Sequence, residues 1–260
     1  MKKIALPLFL GLILPILGFC QDDTRKVNNH SFTHGEFIKY KVYYGWIDAG
    51  YASIKIQDQP SEMCGRSTFR VVGVGESSRT FDWFFKVRDR YETYIDKDMI
   101  APLAFIRRVD EGGYSIKQDY IFNPNKETVF TGKKLVNTPA YVQDLLSAYY
   151  FARTQDMRHA KPGELITVPC FVDDTLFSAK IRFIGRETIT TDLGTFKCMI
   201  FRPVIQTGRI FKHEEDMNVW ITDDENKIPI RAEAKILVGS IKMDLIDYSG
   251  LLNPISKVSP

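Results

Sequence analysis

Histidine, cysteine and surplus charge are all scarce in this sequence, and each scarcity removes a class of function. Four histidines and four cysteines are spread over 260 residues. A metal centre needs converging ligands at defined spacing. His30 and His34 precede the first strand-like segment, and His159 follows the one helical segment. His213-Glu214-Glu215-Asp216 offers ligand chemistry, but no second histidine stands at helical spacing, so it reads as a solvated charged turn. The formal net charge is only +3, and Lys2 and Lys3 supply two units of that. No single-sign field is available to attract nucleic acid or an anionic surface. There is no Gly-x-Ser-x-Gly elbow for an acyl-transfer serine. Gly73-Val74-Gly75 is too short for a phosphate loop and lacks a following Lys-Ser or Lys-Thr. No catalytic residue, metal ligand or cofactor is therefore expected, and the balance leans away from an enzyme.

Long apolar runs are also missing, with one exception. Met1-Lys2-Lys3 precedes an apolar stretch from Ile4 to Phe19, broken by Pro7, Gly11, Pro15 and Gly18. Gly18 and Cys20 then sit at small-x-small spacing before Gln21-Asp22-Asp23. This is the layout of a secretory signal peptide over residues 1–20, and it is too short and broken for a comfortable membrane span. Cleavage after Cys20 would release the protein into the periplasm or beyond. Acylation of Cys20 would instead anchor it to a membrane, although the bulky Phe19 before that cysteine disfavours this. No later segment is apolar enough to cross a bilayer as a helix.

What the chain has in plenty is aromatic side chains, 18 Phe and 12 Tyr, placed at strand-like positions. Rings and branched side chains favour a pleated surface. Residues 21–35 read as a flexible polar arm, 36–250 as a single β-barrel-like domain and 251–260 as a tail. Strands are expected at 37–44, 51–57, 68–75, 86–96, 104–109, 114–122 and 128–131. After the helix they resume at 165–172, 175–186, 195–204, 216–222, 228–237 and 240–247. Turns are expected at Asp48-Ala49-Gly50, at Gly112-Gly113, at Asp173-Asp174 and near Asp192-Leu193. Residues 80–85 suggest a single helical turn. The one clear helix spans about 140–154, with Thr138-Pro139 as its start and Asp144 and Arg153 complementing its dipole. So many antiparallel strands must curl as twist accumulates, giving a closed or partly open barrel with the helix packed in or across it.

Four segments then occur in order. They are Lys86 to Asp96, Glu111-Gly112-Gly113-Tyr114, Gln143 to Tyr150, and Trp220 to Asp224 continuing through Ile228-Pro229. Together they resemble an exported bacterial family known as domain of unknown function 3108. The resemblance covers most of the chain beyond the leader. It implies a cell-envelope setting and no established activity. More loosely, the layout is similar to the periplasmic lipoprotein carriers, whose unclosed barrel encloses an apolar cavity; such an analogy does not establish function.

Within that frame the ligand-binding candidates are Trp83, Phe84 and Phe85, Arg88 and Arg90, and Tyr149 and Tyr150. Three successive rings at 83–85 are hard to bury together, so part of that run is expected to face a cavity or partner. Arg88, Asp89, Arg90 and Glu92, with Arg107, Arg108, Asp110 and Glu111, form the densest charge constellation. It reads either as a headgroup-orienting patch or as cross-strand ion pairs on a wet face. Tyr149 and Tyr150 would present rings from the helix to the barrel mouth. The expected ligand is a lipid or a lipoprotein acyl chain, and the alternative is a protein-interaction module of an envelope assembly using exposed strand edges.

The strand plan also addresses the cysteines. It sets Cys170 opposite Phe177 and Cys198 opposite roughly Glu187, about 30 Å apart along one strand at ~3.3 Å per residue. That exceeds disulfide reach, so buried thiols are expected at 170 and 198 and a loop thiol at 64.

Overall fold

The computed structural model describes residues 24–204, 217–236 and 239–258. The first half of the chain forms β1 (Phe37–Tyr44), β2 (Ile47–Ile56), β3 (Ser61–Met63), β4 (Arg66–Ser77) and β5 (Arg88–Asp96). It continues through β6 (Pro102–Glu111), β7 (Tyr114–Asn123), β8 (Thr128–Phe130) and β9 (Leu135–Asn137). The helix α1 (Leu145–Arg153) follows. The second half comprises β10 (Leu165–Val172), β11 (Thr175–Thr191), β12 (Gly194–Pro203), β13 (Met217–Thr222), β14 (Pro229–Lys235), β15 (Ser240–Ser249) and β16 (Lys257–Val258).

All the strands join one antiparallel sheet, in the order β10-β11-β12-β13-β14-β15-β1-β2-β4-β5-β6-β7-β8-β9, with β3 beside β4 and β16 beside β12. The path is a meander interrupted once, where β15 returns to pair with β1. Its two ends, β9 and β10, are not paired with each other, so the curled sheet stays unclosed. Side chains span the seam instead. Phe171 of β10 packs among Phe105, Tyr120 and Phe122 of β6 and β7. The Tyr120 hydroxyl donates to Asp174 at 2.7 Å, and Arg107 donates to Asp173 at 2.8 Å. The chain leading into α1 contributes a short parallel bridge, Gln143 to Cys170.

The helix begins where its capping chemistry sits. Asp144 accepts from the amides of Leu146 and Ser147 at 2.8 and 2.9 Å, and the Ser147 hydroxyl accepts from the Asp144 amide, a complete capping box. The expected start at Thr138-Pro139 is therefore some six residues early. Residues 138–143 are spent crossing the seam: the Gln143 amide donates to the Pro169 carbonyl, and its own carbonyl accepts from Phe171. A further hydrogen bond from Thr93 to Asp144, 2.6 Å, pins the helix start to β5.

Three other expectations need correction. The β1–β2 turn is Gly45-Trp46, and Asp48 to Gly50 continue as strand. Gly50 fits there because a Cβ would lie 2.2 Å from the Glu76 carbonyl on the neighbouring strand. The segment before Cys64, expected only as loop, carries a strand, since Ser61–Met63 form β3 against β4. The arm at 24–35, although free of strand, is docked rather than loose. Phe32 is fully buried against Phe69 and Tyr150, and the Ser31 hydroxyl donates to the Arg153 carbonyl. The tail is likewise tied down, with β16 paired to β12 and Asn253 bonded to Asn226.

The cysteine registers are as expected. Cys170 pairs with Phe177 and Cys198 with Glu187 on β11. All three described cysteines are free, with Cys64 exposed and the other two buried.

Candidate functional site

The curl of the sheet leaves two recognisable ends. The lower end carries the turn 223–228, the β5–β6 connection and the N-terminal arm. The upper end carries the tips of the β1–β2, β6–β7 and β14–β15 hairpins. This follows from the ladders, which set Tyr44 against Ile241, Gly50 against Ser77 and Glu76 against Arg88.

Between α1 and the inner face of β10–β13 lies a cavity of about 240 Å³. The helix offers it Ala148 and Ala152, which share one face at i,i+4 spacing. The sheet offers Ala179, Ile181, Phe201 and Ile221. Methyl side chains on both walls keep helix and sheet from interdigitating fully, and this is the origin of the space. At its lower margin Met157, Met199 and Lys227 line both this cavity and a second, polar depression of about 800 Å³. The depression is walled by His30, Gln155, Arg158, Asp224 and Asn253, among others. An apolar chamber thus adjoins a polar depression, and the same three side chains border both.

Burial lowers the Lys227 pKa from its ordinary value, and the nearby Glu225 carboxylate at 3.8 Å only partly offsets this. Arg153, at the end of α1, is 2% exposed in its side chain and forms a bidentate pair with the fully buried Glu36, 2.6 Å on each side. Burial alone would lower the Arg153 pKa. The surroundings of Tyr149 and Glu36 outweigh it, and the guanidinium is held protonated above its ordinary value.

The expected site residues separate into three groups. Tyr149 lines the cavity. Tyr150 does not; it is wholly buried in the Phe32–Phe69 cluster, where its hydroxyl donates to Glu36 at 3.2 Å. Arg88 and Arg90 are on the outer face of β5, away from the cavity. Arg88 pairs with Asp82 at 2.6 Å, and Arg90 joins Arg70 on Glu92, each at 2.8 Å. The charge constellation is accordingly a set of ion pairs, with Arg107 turned inward to the seam and Arg108 paired to Asp119. Trp83, Phe84 and Phe85 are exposed at the upper end, remote from the polar mouth. Their segment turns as expected of a single helical turn, with the Asp82 and Phe85 amides donating four residues back, and does not extend into a helix.

Sequence reasoning expected an apolar cavity but missed its place, between α1 and β10–β13. Its one signal was the Ala148–Ala152 spacing on an otherwise bulky helix. It also missed a carboxyl pair, in which burial and a hydrogen bond to Asp89 raise the Glu111 pKa. Among the described residues no three His, Cys, Asp or Glu side chains gather as metal ligands. The expected charged turn at His213 to Asp216 falls outside those residues. Among them, too, no helix is long and apolar enough to cross a membrane.

This architecture, a curled unclosed sheet with one helix over its inner face, defines a β-barrel-like protein. Residues 39–246 match the protein family of unknown function DUF3108, and the chain belongs to that family. No curated protein matches it. Among solved structures it is similar to a β-barrel-like protein of domain of unknown function DUF1849 from Brucella abortus. That similarity has TM-score 0.54 and 10% identity, over 87% of this chain and 98% of the other. Weaker likenesses link it to a candidate exported protein with a YmcC-like fold from Bacteroides fragilis, TM-score 0.35, 12% identity, 86% of this chain and 99% of that one. A candidate lipoprotein from Parabacteroides distasonis is comparable, with TM-score 0.36, 12% identity, 86% and 99%. Only the first supports the fold, and none bears on activity.

Proposed function

We propose that this is an exported cell-envelope protein, periplasmic in its mature form, that binds an amphipathic molecule tail-first in the cavity beneath α1. The observation that carries the reading is that Met157, Met199 and Lys227 line both an apolar chamber and a polar depression, which we read as its mouth. The chamber, about 240 Å³, is smaller than the ~300–1,000 Å³ typical of drug-sized sites. It suits one hydrocarbon chain of a lipid or of a lipoprotein acyl group, and not a fused ring system. Burial of that chain supplies affinity, and the polar end remains among the side chains at the lower mouth. Lys227 is the charged side chain that lines both the chamber and the depression.

The test is native mass spectrometry of the protein prepared gently from its own cell envelope, followed by solvent extraction. Wild type should carry an acyl-bearing lipid in stoichiometric amount. Ala152→Leu with Ala179→Leu, which fills the chamber from both walls, should lower occupancy at least about tenfold (~1.4 kcal/mol) while the melting temperature holds. A protein that arrives without lipid on repeated preparations, and takes up none when offered dodecanoate, would refute the reading and favour a protein-interaction module.

A further inference from the structure

We propose that the upper end of the barrel is a membrane-docking face, which seats its rings in the headgroup–acyl boundary of a net-neutral, zwitterionic bilayer. This face is separate from the polar depression beside the cavity, which lies at the opposite end.

Trp46 at the β1–β2 tip is 90% exposed and Trp83 is 91% exposed. Phe84 and Tyr114 are exposed beside them, and Phe85 partly so. These rings are not slack loop residues. The Ser78 amide donates to the Ala49 carbonyl at 2.8 Å and the Ser78 hydroxyl to the Asp48 carbonyl at 2.9 Å, which fastens the 78–86 turn to the first hairpin. The Gly112 amide donates to the Lys86 carbonyl at 2.8 Å, fastening the same turn to the β6–β7 hairpin. Phe85 lies directly over Gly112, where a Cβ would come within 2.5 Å of its ring. The Gly45 amide donates to the Ser240 carbonyl at 2.8 Å, which adds the β14–β15 hairpin. Phe81 packs beneath, between Tyr44 and Phe84. Four neighbouring tips therefore form one platform that holds the rings outward.

Charge and shape decide the occupant. Asp48 is paired with Lys41 at 2.7 Å and Asp82 with Arg88 at 2.6 Å. The exposed Arg79 and Lys86 are balanced by the exposed Glu76 and Asp110. Among the described residues this face carries no single-sign field, which matches headgroups that are neutral in sum and does not match a polyanionic surface. The rings project singly from hairpin tips. A protein partner would need a separate deep socket for each, whereas the bilayer interface accepts an indole at any position along it. Tryptophan is enriched at that depth because its body is apolar while its N–H reaches polar groups. Neither the Trp46 nor the Trp83 N–H has a hydrogen-bond partner among the described residues.

The experiment uses residues 21–260, so that neither the leader nor acylation at Cys20 can supply the binding; the described fold begins within this segment, at residue 24. Sedimentation with phosphatidylcholine vesicles, and fluorescence quenching by lipids brominated in their acyl chains, give two readouts. Three tryptophans are present, and the third, Trp220, is on β13, bonded to Glu187. Wild type should co-sediment and be quenched, with little effect of salt. Trp46→Ser with Trp83→Ser should reduce partitioning about tenfold or more with an unchanged thermal melt, since both rings are solvent-exposed; Phe84→Ser should give a smaller loss. Absence of partitioning would overturn the proposal. So would equal partitioning by the double variant, or binding only to anionic vesicles that is stripped by about 0.5 M salt. Self-association abolished by the same substitutions, without vesicle binding, would assign the face to a second copy of the chain instead.

Discussion

Arg153 and Glu36, 117 residues apart in the chain, form a two-point ion pair sealed from solvent. Two further donors of the guanidinium are also used. Its Nε donates to the Asn226 carbonyl at 2.8 Å, and one terminal nitrogen also donates to the Ser31 carbonyl at 3.1 Å. One side chain thereby ties the end of α1 to the arm, the entry to β1 and the turn before β14. This fixes the position of the helix over the sheet, and with it the ceiling of the cavity.

Glu36→Ala should be strongly destabilising. Removing one partner of a buried pair leaves the other charge uncompensated, typically at a cost of ~3–5 kcal/mol. Glu36→Met combined with Arg153→Met should recover much of the loss, because no isolated charge remains. Urea midpoints of the three variants decide the point; equal midpoints for the single and double variants would refute it.

Asp144 should make stability depend on acid in an unusual direction. Burial pushes its carboxyl up to about 6, against hydrogen bonds from Thr93, Ser147 and Leu146 that favour the charged form. An unfolded aspartate titrates near ~3.9. The native state thus holds the proton more tightly, and the contribution of this group is complete below about pH 4 and lost as pH rises through 6. Asp144→Asn retains the cap, and the Thr93 hydroxyl can accept from the new amide while donating to the Ala104 carbonyl, 3.2 Å away. The wild-type-minus-variant difference in urea midpoint should fall between pH 4 and 6, leaving the variant the more stable at pH 7. A difference flat across that window would count against the assignment.

Native protein should expose one reactive thiol. Burial pushes both Cys170 and Cys198 up to about 12, whereas Cys64 is exposed in the β3–β4 turn. In residues 21–260 a maleimide should label Cys64 alone under native conditions and all three cysteines in denaturant, as mass spectrometry of the peptides would show. Rapid native labelling at 170 or 198 would contradict the burial.

Gly50→Ala should cost stability even though glycine in a strand interior is usually a weakness. The added methyl would meet the Glu76 carbonyl at 2.2 Å, so the β2–β4 ladder must shift. Overpacking of this kind costs ~1–3 kcal/mol. Gly113→Ala at the β6–β7 tip, where a Cβ meets nothing within 4 Å, separates crowding from backbone preference, since φ there is +91°.

Much of the sheet was legible because half-buried strands announce their period. Ile228, Ile230 and Ala232 alternating with Pro229 and Arg231 was enough to place β14, and the Asp173-Asp174 turn was enough to set Cys170 against Phe177. What was not legible depended on distant partners. Thr138-Pro139 has the chemistry of a helix start, yet those residues are drawn across the seam by Gln143 and β10. The arm is polar in composition, and nothing local reveals that Phe32 will fill a gap beside Tyr150. The cavity is a difference between two packed surfaces, so Ala148 and Ala179 acquire meaning only when set face to face. Arg88 and Arg90 read in sequence as a headgroup patch or as ion pairs, and only the folded sheet shows that Glu92 gathers Arg90 with Arg70 outside the barrel while Arg88 pairs with Asp82.

The return of β15 to β1 sets a timetable for the newly made chain. β1 acquires its second neighbour from residues about 200 positions downstream, at the far end of the polypeptide. Until those residues emerge, the strand that will lie at the middle of the sheet is an open edge, with unpaired amides and carbonyls along one side. Contacts of such long range are slow to form. Under the export proposed above, that delay is useful, because the sheet cannot be completed while its last strands are still being synthesised, and an unfinished sheet remains threadable.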